Sequence, residues 1–159
     1  MKQSVYDIIS EFYKSLRNFF PEYKGNPCIE CNICCRRIAN LGASLMETDY
    51  IEEFVRRRDM DRQIFHDFKE FIEKKPQEKA GQTCPFFSEK LKGCSIYEAR
   101  PLSCRTFGCF INIKFGHLIP EYCRIRSKLT YYTDSDFSEK MPFVIDFYRM
   151  AQIYESSMK

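Results

Sequence analysis

Cys28-Ile29-Glu30-Cys31-Asn32-Ile33-Cys34-Cys35 carries four cysteines in eight residues. A two-residue gap lets neighbouring thiolates bind one metal ion, because the chain can turn back over the ion. Two such gaps in series are also typical of the beginning of bacterial iron–sulfur motifs. The adjacent side chains of Cys34 and Cys35 leave the backbone in different directions, so we expect them to serve two neighbouring centres.

The second half of the chain supplies five further cysteines: Cys84, Cys94, Cys104, Cys109 and Cys123. The segments Cys84-Pro85-Phe86-Phe87 and Cys94-Ser95-Ile96-Tyr97 flank a turn around Lys92-Gly93. This pattern predicts a short hairpin that brings Cys84 and Cys94 close together.

The third cysteine of this half, Cys104, is expected in the first turn of a helix, since Pro101 suits the first helical position. With Arg105 beside it, we expect the pKa of the Cys104 thiol to be depressed. We expect Tyr97 and Arg100 to belong to the shell around the cysteines, with Arg100 hydrogen-bonded to a carbonyl or a thiolate.

Nine cysteines are an unusual number for a chain of 159 residues. The first seven residues, Met1 to Asp7, have an acid where a secretion signal would have its apolar core. No uncharged run approaches the ~20 apolar residues of a membrane helix. We therefore expect a cytoplasmic protein with no membrane association, in which thiols stay reduced. In that compartment many cysteines indicate metal ligands or catalytic thiols before disulfides.

The formal net charge of +3 is weak support for nucleic-acid binding. Eight ligand thiolates and two divalent centres would bring the charge of the loaded protein to about −1. We therefore expect no nucleic-acid partner. The six glycines include no Gly-x-Gly pair, so neither common phosphate-binding loop is present in the sequence.

The apolar spacing predicts a mainly α protein with one or two small β-hairpins and irregular, metal-pinned loops, folded as a single compact domain over 1–159. We expect helices from Val5 to Phe20 with Ser4 as cap, from Thr48 to the arginines ending at Arg58, from Asp61 to a stop at Pro76, and from Met141 to Tyr154. Between them we expect a polar linker over Lys74–Gln82 and a short strand within Phe110–Lys114.

The two cysteine blocks together resemble the CxxCxxCC cysteine-cluster family (the YkgJ type), described as zinc- or iron-chelating proteins. The second block carries this likeness in Cys84-Pro85-Phe86-Phe87 and in the run Cys94 to Arg105, and Cys123 is similar to the last cysteine of the family pattern. The resemblance implies a ligand set of eight: Cys28, Cys31, Cys34, Cys35, Cys84, Cys94, Cys104 and Cys123. It spans 28–126, which we take as the metal-binding core, with packing helices within 1–24 and 136–159. Cys109 lies outside the pattern.

Cysteine-only ligation suits zinc and iron–sulfur clusters equally well. The serial spacing favours a [4Fe–4S] cluster over zinc, in two centres. So does the iron–sulfur centre implied by a flagellin lysine methylase related to this family, which carries a similar cluster beside other sequence that this chain lacks.

The leading hypothesis is a metalloprotein without catalytic residues, since four cysteine ligands leave no open position on a metal for substrate. Its centres would hold the fold together, with electron transfer as a further role. One alternative is a cluster-dependent oxidoreductase or a protein-modifying accessory enzyme, with Cys109 as the reactive thiol. Another is a zinc-stapled adaptor for a protein or RNA partner. The sequence identifies no particular partner.

Overall fold

The computed structural model describes residues 4–19, 33–36, 42–106, 111–112, 131–132, 135, 138–139 and 142–159. Helices account for most of these residues, and the four strands are two residues long each. In chain order the elements are α1 (Val5–Phe19), α2 (Ile33–Arg36), α3 (Leu45–Arg57), α4 (Arg62–Glu73), α5 (Pro76–Lys79), β1 (Phe87–Ser88), β2 (Gly93–Cys94), a 3₁₀ helix (Tyr97–Ala99), α6 (Leu102–Thr106), β3 (Ile111–Asn112), β4 (Tyr131–Tyr132) and α7 (Pro142–Ser157).

Helix α3 begins with a capping box. The Ser44 hydroxyl accepts a hydrogen bond from the Glu47 backbone N–H at 3.3 Å, and the Glu47 carboxylate accepts one from the Ser44 N–H at 2.9 Å. Both groups would otherwise be unpaired at the start of the helix. The prediction that this helix begins at Thr48 is therefore wrong by three residues, because Ser44 is the cap.

Helices α1, α4 and α7 all pack against α3, which makes α3 the centre of the described core. Aromatic rings supply much of this packing. Phe12 of α1 stacks on Phe147 of α7 with ring centroids 4.2 Å apart, and Tyr13 meets Tyr50 of α3 edge-on at 5.6 Å. Such ring pairs stabilise a core beyond the area they bury.

The predicted boundaries of the other helices agree with the structure to within a few residues. Ser4 accepts a hydrogen bond from the Asp7 N–H at the start of α1, and Asp61 accepts one from the Gln63 N–H at the start of α4. The expected polar linker after α4 is corrected in part, because its residues 76–79 form the short helix α5. Proline suits this first helical position, since it has no N–H to leave unpaired.

The strands form two separate pairs. β1 and β2 are antiparallel, with Phe87 opposite Cys94 and Ser88 opposite Gly93, which confirms the predicted hairpin. β3 lies within the predicted strand over 110–114, and it pairs in parallel with β4, so this second pair is not a hairpin. The mainly α fold class is thus confirmed. No helix in the described ranges is both long and apolar enough to cross a membrane.

The core at Phe147 gives a test of this packing. Phe147 is 0% exposed, whereas Ile153 on the same helix is 64% exposed. We predict that Phe147→Ala lowers the free energy of unfolding by about 3–5 kcal/mol, because it leaves a cavity between α1 and α7. Ile153→Ala, the matched control, should change it by no more than about 0.5 kcal/mol. Equal losses in a urea titration would contradict this packing.

Candidate metal centre

Four of the nine cysteines have described side chains, and each is a partly buried free thiol. They come from three places in the chain. Cys35 lies in α2 and Cys104 lies in α6, whereas Cys84 lies just before strand β1 and Cys94 lies in strand β2. For Cys34 the structure describes the helical backbone of α2. The other predicted ligands, Cys28, Cys31 and Cys123, lie outside the described residues, as does Cys109.

The first cysteine block is joined to the hairpin by its backbone. The Cys84 N–H donates a hydrogen bond to the Cys35 carbonyl at 2.8 Å, and the Thr83 hydroxyl donates one to the Arg36 carbonyl at 3.1 Å. The Arg36 guanidinium then lies 4.8 Å from the centre of the Phe87 ring. Two cysteines that are 49 positions apart in the sequence, Cys35 and Cys84, are therefore joined directly through their backbones.

The hairpin is held by hydrogen bonds between its two arms and by packing of Phe86 against the core. The Ser95 N–H and hydroxyl both donate to the Phe86 carbonyl, at 2.8 and 3.0 Å, which continues the pairing beyond β2. Phe86 is buried and packs on Phe68 of α4 with ring centroids 4.9 Å apart. The two cysteines of the hairpin are thus held by a rigid anchor in the core.

Cys104 is positioned by the start of helix α6. The Leu102 N–H donates to the Glu47 carboxylate at 2.6 Å, and the Cys104 N–H donates to the Pro101 carbonyl at 3.0 Å. The Ser103 hydroxyl donates to the Gly42 carbonyl at 2.6 Å. Helix α6 begins at Leu102, one residue after the predicted first position at Pro101, and it carries Cys104 in its first turn as predicted.

Arg100 and Arg105 lie close to Cys104 in the sequence and bind backbone carbonyl groups of the same segment. The buried Arg105 donates to the backbone carbonyls of Arg100 and Glu98, and its guanidinium lies 3.7 Å from the centre of the Tyr13 ring. Arg100 donates to the Tyr97 carbonyl at 3.0 Å and lies over the Tyr97 ring. The expected hydrogen bond from Arg100 to a carbonyl is therefore confirmed.

Burial makes the charged forms of Cys84, Cys94 and Cys104 unfavourable. Burial raises the pKa of Cys84 to about 12 and the pKa of Cys94 to about 11, and repulsion from neighbouring thiolates adds to both shifts. Burial also raises the pKa of Cys104 well above its usual value, and the charges of Cys84, Cys94 and Cys35 raise it further. The four thiols thus lie close enough for their charged forms to repel one another.

The prediction of a depressed Cys104 pKa is wrong, because burial raises this pKa. Of the two nearby guanidinium groups, Arg100 lowers the pKa of Cys104 but does not outweigh burial. Arg105 extends toward the carbonyls of Arg100 and Glu98 and the ring of Tyr13 instead. Its position next to Cys104 in the sequence therefore did not predict which groups the Arg105 guanidinium contacts.

The donor set fits a thiophilic metal in its chemistry. Interaction with the backbone N–H groups of Phe86 and Phe87 lowers the pKa of Cys84, and interaction with that of Ile96 lowers the pKa of Cys94, so both favour the thiolate without outweighing burial. A divalent cation would supply the positive charge that the repelling thiolates lack. Within the described part of the chain, no three His, Cys, Asp or Glu side chains already have the spacing to hold a metal ion.

The residues that sequence reasoning missed are Glu47 and Tyr13. Glu47 is buried, and its carboxylate receives hydrogen bonds from Tyr13 and Leu102 as well as from Ser44. The Ser44-x-x-Glu47 pattern could have indicated the capping box. No local signal could have indicated the contacts with Tyr13 and Leu102, which lie 34 and 55 positions away.

Comparison with known families gives one match. The family model CxxCxxCC, described as a "putative zinc- or iron-chelating domain", matches residues 27–124, which is more than half of the chain. The matched range includes all eight cysteines that the sequence resemblance implied as ligands. Searches among curated proteins and among solved structures found no match.

The raised pKa values predict slow alkylation of the metal-free protein, because the thiolate is the reactive form. At pH 9.0, the ordinary pKa of cysteine, an exposed thiol is about half ionised, whereas Cys94 at a pKa of about 11 is only about one-hundredth ionised. We expect Cys84 and Cys94 to react with iodoacetamide far more slowly in the folded chain than in denaturant, and to speed up toward pH 11–12. Equal rates by mass spectrometry, folded and denatured, would contradict the described burial.

Proposed function

This chain belongs to the CxxCxxCC family of zinc- or iron-chelating domains, and on that premise we propose that it holds metal through cysteine thiolates. The proposed ligands are those implied by the resemblance: Cys28, Cys31, Cys34, Cys35, Cys84, Cys94, Cys104 and Cys123. In this proposal 28–126 form the metal-binding core of one domain, and helices within 1–24 and 136–159 pack around it.

The observation that carries the proposal is the electrostatic interaction among the thiols of Cys35, Cys84, Cys94 and Cys104. Each of the last three has its pKa raised by the charge of Cys35 as well as by burial. An isolated buried cysteine packs as a small apolar side chain anywhere in a core, so we explain the grouping of these four thiols by a shared cation. A bound cation would stabilise the thiolate forms of these cysteines and so favour their grouping.

We assign these four cysteines to one centre and Cys28, Cys31, Cys34 and Cys123 to a second. We base this division on the general rule that consecutive residues direct their side chains differently, so that Cys34 and Cys35 would serve different centres. Cys35 is tied to the hairpin through the Cys84 N–H, so it goes with the second-half cysteines. We favour [4Fe–4S] clusters over zinc because of the serial C-x2-C-x2-C spacing.

The proposed role is structural, with electron carriage as an extension of it. Hairpin, α2 and α6 are short elements with few hydrogen bonds of their own, and a shared metal would link all three. Four thiolates leave no position for substrate on the metal, which disfavours activation of water. The proposal retains the expected cytoplasmic setting, where such thiols stay reduced.

Metal and sulfide analysis after anaerobic purification tests the ligand set. We predict a brown protein with acid-labile sulfide, and a loss of about half of its metal in Cys94→Ser and Cys104→Ser, because each change breaks one of two centres. Cys109→Ser is the matched control and should retain the metal content of the native chain.

Two outcomes would change this account. A native protein without stoichiometric metal, or equal metal contents in Cys94→Ser and Cys109→Ser, would overturn the proposed function. A colourless protein with two zinc ions would replace the iron–sulfur assignment and leave the ligands as they are.

A further inference from the structure

The carboxylate of Glu47 connects three helices inside the core. Glu47 is 4% exposed. One carboxylate oxygen, Oε1, accepts from the Tyr13 hydroxyl of α1 at 2.9 Å and from the Leu102 N–H of α6 at 2.6 Å. The other, Oε2, accepts from the N–H and the hydroxyl of Ser44, both at 2.9 Å.

The two carboxylate oxygens of Glu47 have different structural roles. The contacts of Oε2 with Ser44 complete the capping box of α3 and are local. The contacts of Oε1 are not needed for that cap, and they join α3 to two elements that are distant in the sequence. A buried carboxylate requires such donors, because an unpaired buried charge is strongly destabilising.

The α6 side of this connection leads directly to a proposed metal ligand. Leu102 is the first residue of α6, and Cys104 is the third. Arg105 follows, buried, with its guanidinium over the ring of Tyr13, the residue whose hydroxyl contacts Glu47. Tyr13 of α1 therefore contacts both Glu47 of α3 and Arg105 of α6. The orientation of α6 thus depends on the packing of α1.

We propose that Glu47 is a positioning residue of the metal site, which holds α6 so that Cys104 faces Cys35, Cys84 and Cys94. The inference rests on the proposed function, since it concerns the affinity of the same site. It adds a coupling: docking of α1 favours the metal-binding arrangement. Because coupling between two equilibria is reciprocal, bound metal must stabilise the docked α1 to the same extent.

Cobalt(II) titration of the full-length metal-free chain, followed by its thiolate absorption and by competition with zinc, measures the effect. Glu47→Gln preserves volume but offers one acceptor oxygen, which cannot serve both Ser44 and Leu102. We predict that it weakens cobalt binding by about 10- to 100-fold, the usual effect of losing a group that orients a ligand. Ser44→Ala, the matched control, disturbs only the cap and should change the affinity by less than about two-fold.

Hydrogen exchange of α1 separates positioning from general loss of stability. In the native chain, cobalt should slow amide exchange across Val5–Phe19, and in Glu47→Gln this metal-dependent protection should be lost. A purely structural role would lower protection equally with and without metal. Tyr13→Phe, which removes only the hydroxyl and keeps the ring under Arg105, should weaken binding in the same direction, and it decides the matter if Glu47→Gln does not fold.

Cobalt affinity in Glu47→Gln equal to that in Ser44→Ala would overturn this inference and leave the proposed function intact. So would unchanged affinity in Tyr13→Phe when Glu47→Gln is unfolded. A native chain that binds no cobalt would instead overturn the proposed function, and this inference with it.

Discussion

The hydrogen bond from the Cys84 N–H to the Cys35 carbonyl is the contact on which the cysteine region depends. It joins α2, which contains the last two cysteines of the first block, to the hairpin that carries Cys84 and Cys94. A backbone bond of this kind fixes position without using either side chain, so both thiols remain available for a metal. The hairpin is in turn anchored in the core by Phe86, which is buried against Phe68. The rigid core thereby determines where the sulfur atoms lie.

Charge is handled differently in the two buried regions of the protein. Around Glu47 and Arg105, each buried charge has donors or acceptors within the chain, from Tyr13, Leu102 and two backbone carbonyls. Around Cys84, Cys94 and Cys104, burial and mutual repulsion leave the thiols neutral in the protein alone. The charges of Glu47 and Arg105 are thus paired within the chain, whereas the cysteine region is suited to a cation that would stabilise thiolates. Under the proposed function, metal binding and folding would be parts of one equilibrium.

Local patterns in the sequence were sufficient for most of the described fold. Apolar spacing predicted α1, α4 and α7, and the two cysteine segments around Lys92-Gly93 predicted the hairpin. The start of α3 was misplaced because the acids after Thr48 resemble a first turn, while the capping box of Ser44 and Glu47 lies just before it. Long-range features were beyond such patterns: the parallel pairing of β3 with β4, the contacts of Glu47, and the raised pKa of Cys104. That pKa depends on burial and on Cys35, Cys84 and Cys94, none of which is a sequence neighbour. The predicted set of eight ligands came from the family resemblance, and four of them lie among the described side chains.

The most direct test of the central claim is a crystal structure of the anaerobically purified chain with anomalous diffraction at the metal absorption edge. The account predicts an anomalous peak bonded to sulfur atoms of both halves, with Cys35 on one side and Cys84, Cys94 and Cys104 on the other. A metal bound only to nitrogen and oxygen atoms, or a density map in which Cys35 and Cys94 share no metal, would contradict it.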